Sequence, residues 1–375
     1  MVRLTHTLYH LSSPKTSNTM RSLLLSRLSR LSLRKPPPLV LRQLGGVRFL
    51  SKTPICHIVG AEPCGFTPRD GEIGAREPDD RTGTIGASNG WVATLKDGVV
   101  CLQDDLIPSA SDSAPKRISL PPLETLPHCQ TQLVTNVAMS SASPDEDEDC
   151  ILAVKFVGPQ LSLCRPALGD KAEWFNIRIT DPGFFSSRVM YSRRDKMFSM
   201  PGSGGTRTGS WDLEKHRDKP KLQTWRFLRH PEFVQTEWGD IDTCYTTEQL
   251  VESRHTGDMF MVKRFRERNY DEGDRMEEKQ IMVFKLDGDE GSRCYNGHGD
   301  AIYTEDIGDL CIFLSKSEPF CLQASLYGNF SNSIYFVDDN GNGMFNYKFE
   351  YSNKKYATYP APYFIPPQSY LNAYV

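Results

Sequence analysis

Six histidines stand beyond residue 50, at His57, His128, His216, His230, His255 and His298, and ten cysteines fall at 56, 64, 101, 129, 150, 164, 244, 294, 311 and 321. These are the side chains that ligate transition metals or carry acid–base and nucleophilic chemistry. Their spacing supports neither. There is no H-E-x-x-H, no Cys-x-x-Cys pair and no G-x-S-x-G elbow. His128-Cys129 and the Cys294/His298 pair each offer two ligands, but neither has a second pair nearby, so no metal is expected. Several cysteines sit inside apolar runs, such as Cys101 in GVVCL and Cys311 in DLCIFL, and read as small buried hydrophobes rather than a disulfide framework.

Two loops imitate binding motifs. Asp338-Asp-Asn340-Gly-Asn342-Gly343 copies the first half of a calcium loop, yet its twelfth residue is Phe349 and the carboxylate arrives one step late at Glu350. A hairpin turn fits better. Pro201-Gly-Ser-Gly-Gly205 lacks the Lys-Ser/Thr of a phosphate loop, and no helix pattern follows it, so it too reads as a turn. Asn329-Phe330-Ser331 matches a glycosylation acceptor, which matters only on a secretory route. No catalytic, cofactor-binding or metal-binding residue is therefore expected. The five tryptophans, Trp91, Trp174, Trp211, Trp225 and Trp238, are expected mainly to pack, with a surface anchor possible for one or two.

The elements that would position any site are short. Runs such as Trp91 to Leu95, Val99 to Leu102, Ile151 to Val157, Leu161 to Cys164, Leu250 to Val251, Met259 to Val262, Ile281 to Leu286, Cys311 to Leu314, Ile334 to Val337 and Met344 to Phe349 are rich in β-branched and aromatic residues. Gly, Pro, Asp or Asn bounds them, and sustained helical periodicity is almost missing, which predicts an all-β sandwich, barrel or propeller. Hairpins are legible at Asp97-Gly98, at Gly158-Pro159 and at Asn340 to Gly343. Some 325 residues of successive hairpins exceed a sandwich and suit blades about an axis, six or seven at roughly 40 to 50 residues each. Ser109 to Lys116, Ser140 to Asp149 and Glu267 to Lys279 read as solvated loops.

Charge divides the chain. Of 44 basic residues nine lie in residues 1–50, where no acidic residue occurs; the remainder carries 35 basic against 47 acidic residues, which would repel a nucleic acid. From Met20, MRSLLLSRLSRLSLRK is a cationic amphipathic segment of the organellar-address type, with Leu24, Leu28 and Leu31 on one side and Arg27, Arg30 and Arg34 beside them. Arg48-Phe49-Leu50-Ser51 resembles a mitochondrial processing site, placing cleavage after Leu50; a chloroplast address is the competing reading. No run of about 18 apolar residues occurs, so no membrane-spanning helix is expected. The expected organisation is a presequence over 1–50, an irregular linker over 51–80, a propeller over 81–360 and a tail over 361–375.

The strand phrases themselves resemble a family. ASNGWVATL (Ala87 to Leu95), ISLPPL (Ile118 to Leu123), EQLVESRHTGDMFMVKRF (Glu248 to Phe265), IMVFKLD (Ile281 to Asp287), IGDLCIFLSKSEPFCLQAS (Ile307 to Ser325) and NSIYFVDD (Asn332 to Asp339) resemble, in order, the plant domain-of-unknown-function 295 family, the KIB-type β-propellers. The resemblance implies a propeller. Many members carry an amino-terminal F-box and act as ubiquitin-ligase adaptors, but no Leu-Pro-initiated helical module is seen between Ser51 and Gly83. The chain looks like the organellar branch, for which the resemblance implies no assigned activity. A non-catalytic mitochondrial interaction module is expected, with unidentified protein partners and no nucleic acid. Its alternatives are a ubiquitin-ligase adaptor and an enzyme whose residues converge at the pore.

Overall fold

The computed structural model describes residues 83–104, 107, 116–213, 220–229, 243–269, 275–287, 298–327, 329–338, 341–346, 349–353 and 363–365, with three short strands nearer the amino terminus. Those are β1 (Val2–Arg3), β2 (Cys56–Ile58) and β3 (Glu62–Pro63), and β1 pairs with β3. Apart from them, the expected presequence, its cut after Leu50 and the linker lie outside the described residues.

Antiparallel meanders follow. β4 (Gly83–Ser88), β5 (Trp91–Lys96), β6 (Val99–Gln103) and β7 (Arg117–Pro122) make the first blade. The second is β8 (Val134–Met139), β9 (Leu152–Phe156), β10 (Gln160–Cys164) and β11 (Phe175–Arg178). The third contains β12 (Met190–Ser192), β13 (Met197–Pro201), β14 (Arg207–Trp211) and β15 (Leu222–Arg229). The fourth contains β16 (Tyr245–Glu252), β17 (Met259–Asn269), β18 (Arg275–Asp287) and β19 (His298–Thr304). Parallel pairing of β15 with β19 fuses the third and fourth blades into one eight-stranded sheet. The fifth blade runs β21-β20-β22-β23-β24, from β20 (Leu310–Leu314), β21 (Phe320–Gln323), β22 (Ser333–Asp338), β23 (Gly341–Asn346) and β24 (Phe349–Asn353). Near the end of the chain, β25 (Tyr363–Ile365) pairs with β2.

The architecture is the all-β propeller that the strand series predicts. Among the described residues it has five blades rather than six or seven, because the fourth alone runs from Tyr245 to Thr304. Two long strands replace what the sequence suggests is a loop: Glu267 to Asn269 and Arg275 to Lys279 are the arms of the β17–β18 hairpin. Their alternating charges pair across strands, as in the exposed Lys279–Glu267 contact of 2.7 Å. The Met344 to Phe349 run likewise splits into two strands, with Asn346 opposite Phe349. Because Asp338 already pairs with Gly341, the residues Gly341, Asn342 and Gly343 belong to β23 rather than to the expected turn.

Inner strands of the second, third and fifth blades are buried on both faces, which explains runs without strict alternation, whereas β6 of the first blade alternates. In β9, Leu152, Val154 and Phe156 join Trp91, Val100 and Leu102 in the seam between the first two blades, while Ala153 faces the seam with the third. In β20, Ile312 and Leu314 pack with Val251 and Phe260 of the fourth blade, and Cys311 and Phe313 face the opposite way. On that second face Phe313 stacks on Phe320 and Tyr335 and meets Phe364 of β25 edge-on.

Candidate functional site

Each blade presents one edge strand to the axis: β4, β8, β12, β16 and β21. These five succeed one another, β4 beside β8, β8 beside β12, β12 beside β16 and β16 beside β21. The segment before β21 completes the circuit, since Glu318 donates its backbone N–H to Ala87 O of β4 at 2.7 Å. Where β4, β12 and β16 end, their last and following residues turn toward one small axial cavity of about 40 Å³, room for roughly one water or two. Its polar lining includes Ser88, Asn89, Arg193, Glu252, Arg254 and Glu318.

Asn89 reaches this position through a tight turn. Ser88 pairs with Trp91, and Asn89 and Gly90 take positive φ of 50° and 86°, the Asn-Gly solution for a two-residue hairpin. Its side-chain amide donates to Met139 O at 3.2 Å, and its oxygen accepts from two guanidinium groups, Arg254 Nη2 at 3.1 Å and Arg193 Nη2 at 3.3 Å. The carboxylates point into the scaffold. Glu252 accepts the backbone N–H of Arg193 at 2.8 Å and of Arg194 at 3.1 Å. Glu318 accepts the Ser88 hydroxyl on one oxygen and the Tyr191 N–H, at 2.9 Å, on the other. Burial raises the Glu318 carboxyl above its usual range; the Ser88 hydroxyl, the Tyr191 N–H, Arg254 and Arg193 oppose that shift. Thus residues 315–319, between β20 and β21, form a strap tied to the first and third blades, with Arg188 also donating to Ser315 O at 2.5 Å.

Two buried lysines clasp neighbouring seams. Lys155 on β9 is fully buried and donates to Phe156 O, to Gly158 O at 2.9 Å and to Phe185 O at 2.9 Å. Burial pushes its ammonium down to about 7. Lys263 on β17 donates to Gly204 O at 2.6 Å, while Glu248 on β16 accepts Gly204 N–H at 2.9 Å. Burial lowers Lys263 to about 8 against the opposing charge of Glu248, whose own carboxyl burial raises. The PGSGG segment is therefore the β13–β14 turn, held by the next blade. Gly205 has φ of +66°, and a Cβ there would collide with the Lys263 side chain and lie 2.9 Å from Met261 Sδ.

Among the described residues, those weighed from sequence do not converge. His128 and His255 are exposed and far apart in the fold, His216, His230 and Cys294 lie outside the described residues, and His57 and His298 fall in β2 and β19. Among the described residues no three His, Cys, Asp or Glu side chains gather as a metal site. Seven of the described cysteines are free thiols, and of these Cys150, Cys164, Cys311 and Cys321 are buried. Trp91 and Trp211 are core residues, Trp174 donates to Pro121 O at 2.8 Å, and Trp238 lies outside the described residues. The axial group was not legible as a group because its members are spread from residue 88 to 318. The Asn-Gly pair at 89–90 was the one available signal.

A family model described as KIB1-4 beta-propeller matches residues 66–351. No curated protein matches the chain. No described helix is long and apolar enough to cross a membrane.

Proposed function

We propose, from the premise that the chain belongs to the KIB1-4 β-propeller family, that it is a non-catalytic interaction module of the mitochondrial matrix. One observation carries the non-catalytic part. At the axis, where a converging active site would stand, the carboxylate oxygens of Glu252 and Glu318 already accept scaffold N–H and O–H groups, and about 40 Å³ remains. A substrate would need several times that space. Rigid blades with loops at both rims suit protein recognition.

The matrix location rests on the acid-free, Arg- and Ser-rich residues 1–50 and the Arg48-Phe49-Leu50-Ser51 pattern. The expected amino terminus of protein recovered from isolated mitochondria is Ser51 or a neighbouring residue. Recovery of the intact chain outside organelles removes the location. Proximity labelling from the mature protein is expected to mark a reproducible set of matrix proteins, and a background-level result removes the interaction role.

A pore-centred enzyme is the second reading, favoured by Glu252 and Glu318 lining one cavity. Release of either carboxylate from its scaffold bonds in a ligand-bound structure would support it.

A further inference from the structure

The two ends of the chain meet outside the five blades. Strand β2 pairs antiparallel with β25, with Cys56 opposite Ile365, His57 opposite Phe364 and Ile58 opposite Tyr363. Three residue pairs hold poorly by themselves, since even a whole hairpin is marginal in water. The anchor is Phe364. It is 2% exposed and packs with Cys311, Phe313, Phe320, Leu322 and Tyr335 of the fifth blade. Its backbone N–H goes to Ser315 Oγ at 3.3 Å, and it also lines the axial mouth. The fifth blade thus pins β25, and β25 holds β2. The Arg48-Phe49-Leu50-Ser51 pattern falls between β1 and β2, with residues 51–55 separating the expected cut from Cys56. A cut there takes β1 away from β3 and leaves the β2–β25 pair whole, whereas a cut past Ile58 takes β2 away from β25.

We infer that the β2–β25 pair is a clasp that sets the inner limit of amino-terminal proteolysis: trimming of the folded chain advances to the residues just before Cys56 and stops there. The reaction is hydrolysis by an endopeptidase, in which water adds across the peptide C–N bond and leaves a new carboxylate and a new amine. Such an enzyme binds its substrate as an extended segment whose backbone groups are free to pair. Those of β2 are engaged by β25. Cleavage within β2 therefore waits on opening of the pair, and its rate follows the fraction of chains in which the pair is open. The clasp joins strands nearly a whole chain apart, so it closes only once the carboxy-terminal strand is in place. Before closure the amino terminus is open to cleavage; afterwards the body is shielded. The inference goes beyond the interaction-module reading and needs neither a compartment nor a partner.

The test is limited digestion of the purified full chain with proteinase K, an endopeptidase of broad specificity, with fragments identified by mass. The fragment carrying the first blade is expected to begin between Ser51 and Cys56. The fragment carrying the fifth blade is expected to end at or beyond Ile365, whichever loops are cut between them. Phe364→Ala, checked for native circular dichroism, is expected to lose both ends together and at least tenfold faster, residues 56–58 from one fragment and 363–365 from the other. In the unaltered chain, a first-blade fragment that begins past Ile58, or one that keeps residues well before Ser51, overturns the inference whether or not the variant folds. Loss of residues 363–365 from the variant with 56–58 retained overturns it as well. The digestion uses no mitochondrial component, so its failure leaves the location and labelling results standing.

Discussion

Replacing Lys155 with Met tests how the seam between the second and third blades is held. The substitution keeps the length of the side chain and removes three N–H donors from Phe156 O, Gly158 O and Phe185 O. Phe185 O retains the Gly158 N–H at 2.9 Å, so it is not left bare. At about 1–3 kcal/mol for each buried group left unsatisfied, less the relief of removing a buried cation, a net loss of roughly 2–4 kcal/mol is expected at neutral pH. The pH dependence is more telling. The folded lysine sits at about 7 against an ordinary value of 10.5. Between those values the unfolded chain binds the proton that the folded chain has released, so stability rises with pH. From pH 7 to 9 that contribution is about 2 kcal/mol at 1.36 kcal/mol per unit. Lys155→Met lacks it. Urea unfolding of both proteins at pH 7 and pH 9 should show the gap between them widening by that amount, with other titrating groups cancelling. A constant gap would mean that the three carbonyl dipoles keep the ammonium charged across this range, and the burial argument would be refuted.

Gly205→Ala should cost about 2–3 kcal/mol, from a strained backbone plus collision with Lys263 and Met261, whereas Gly257→Ala, at φ of +73° with open space around it, should cost only about 1 kcal/mol. Thermal midpoints of the two variants separate collision from strain, and equal losses would show that the Gly205 neighbours yield freely. Buried Arg264 and half-buried Glu278 form a bidentate pair, with Arg264 Nη2 at 2.5 Å from the carboxylate and its guanidinium 4.6 Å from the Phe336 ring centre. Glu278→Met alone is expected to cost about 2–3 kcal/mol by taking this carboxylate from a buried guanidinium, while Arg264→Met with Glu278→Met should regain most of that. A double-mutant cycle without coupling would place the stabilisation in packing on Phe336 instead.

Strand composition made the blade seams legible. Leu310 to Leu314 is apolar on both faces, and Leu152 to Phe156 is so but for Lys155, as elements sandwiched between neighbours tend to be, and Asp97-Gly98 carries the positive φ of 50° and 78° that its turn demands. Glu267 to Lys279 misled because alternating charge is common to loops and to exposed hairpin arms; only pairing partners distinguish the two. Blade number was obscured by the same extension, which lengthens the fourth repeat. The axial group was hidden for a deeper reason. Ser88, Arg193, Glu252 and Glu318 become neighbours only when the ring closes, and single polar residues at strand ends leave no periodic trace.

Closure itself differs from the other seams. Blades one to five join through apolar layers, as at Trp91 with Val154 and Val251 with Ile312. From the fifth blade back to the first, the described contacts are polar: Glu318 N–H to Ala87 O, and Ser88 to Glu318. Such bonds are directional, so they fix the strap where an apolar layer would let it slide. Ser315, at the start of the strap, also accepts the backbone N–H of Phe364 at 3.3 Å, while Phe364 packs on Phe313. Strand β25 thus supports the segment that carries Glu318. The position of Glu318 relative to Arg193 and Arg254 therefore depends on a strand nearly fifty residues later in the chain, and a change at Phe364 should reach the axial mouth before it disturbs the first four blades.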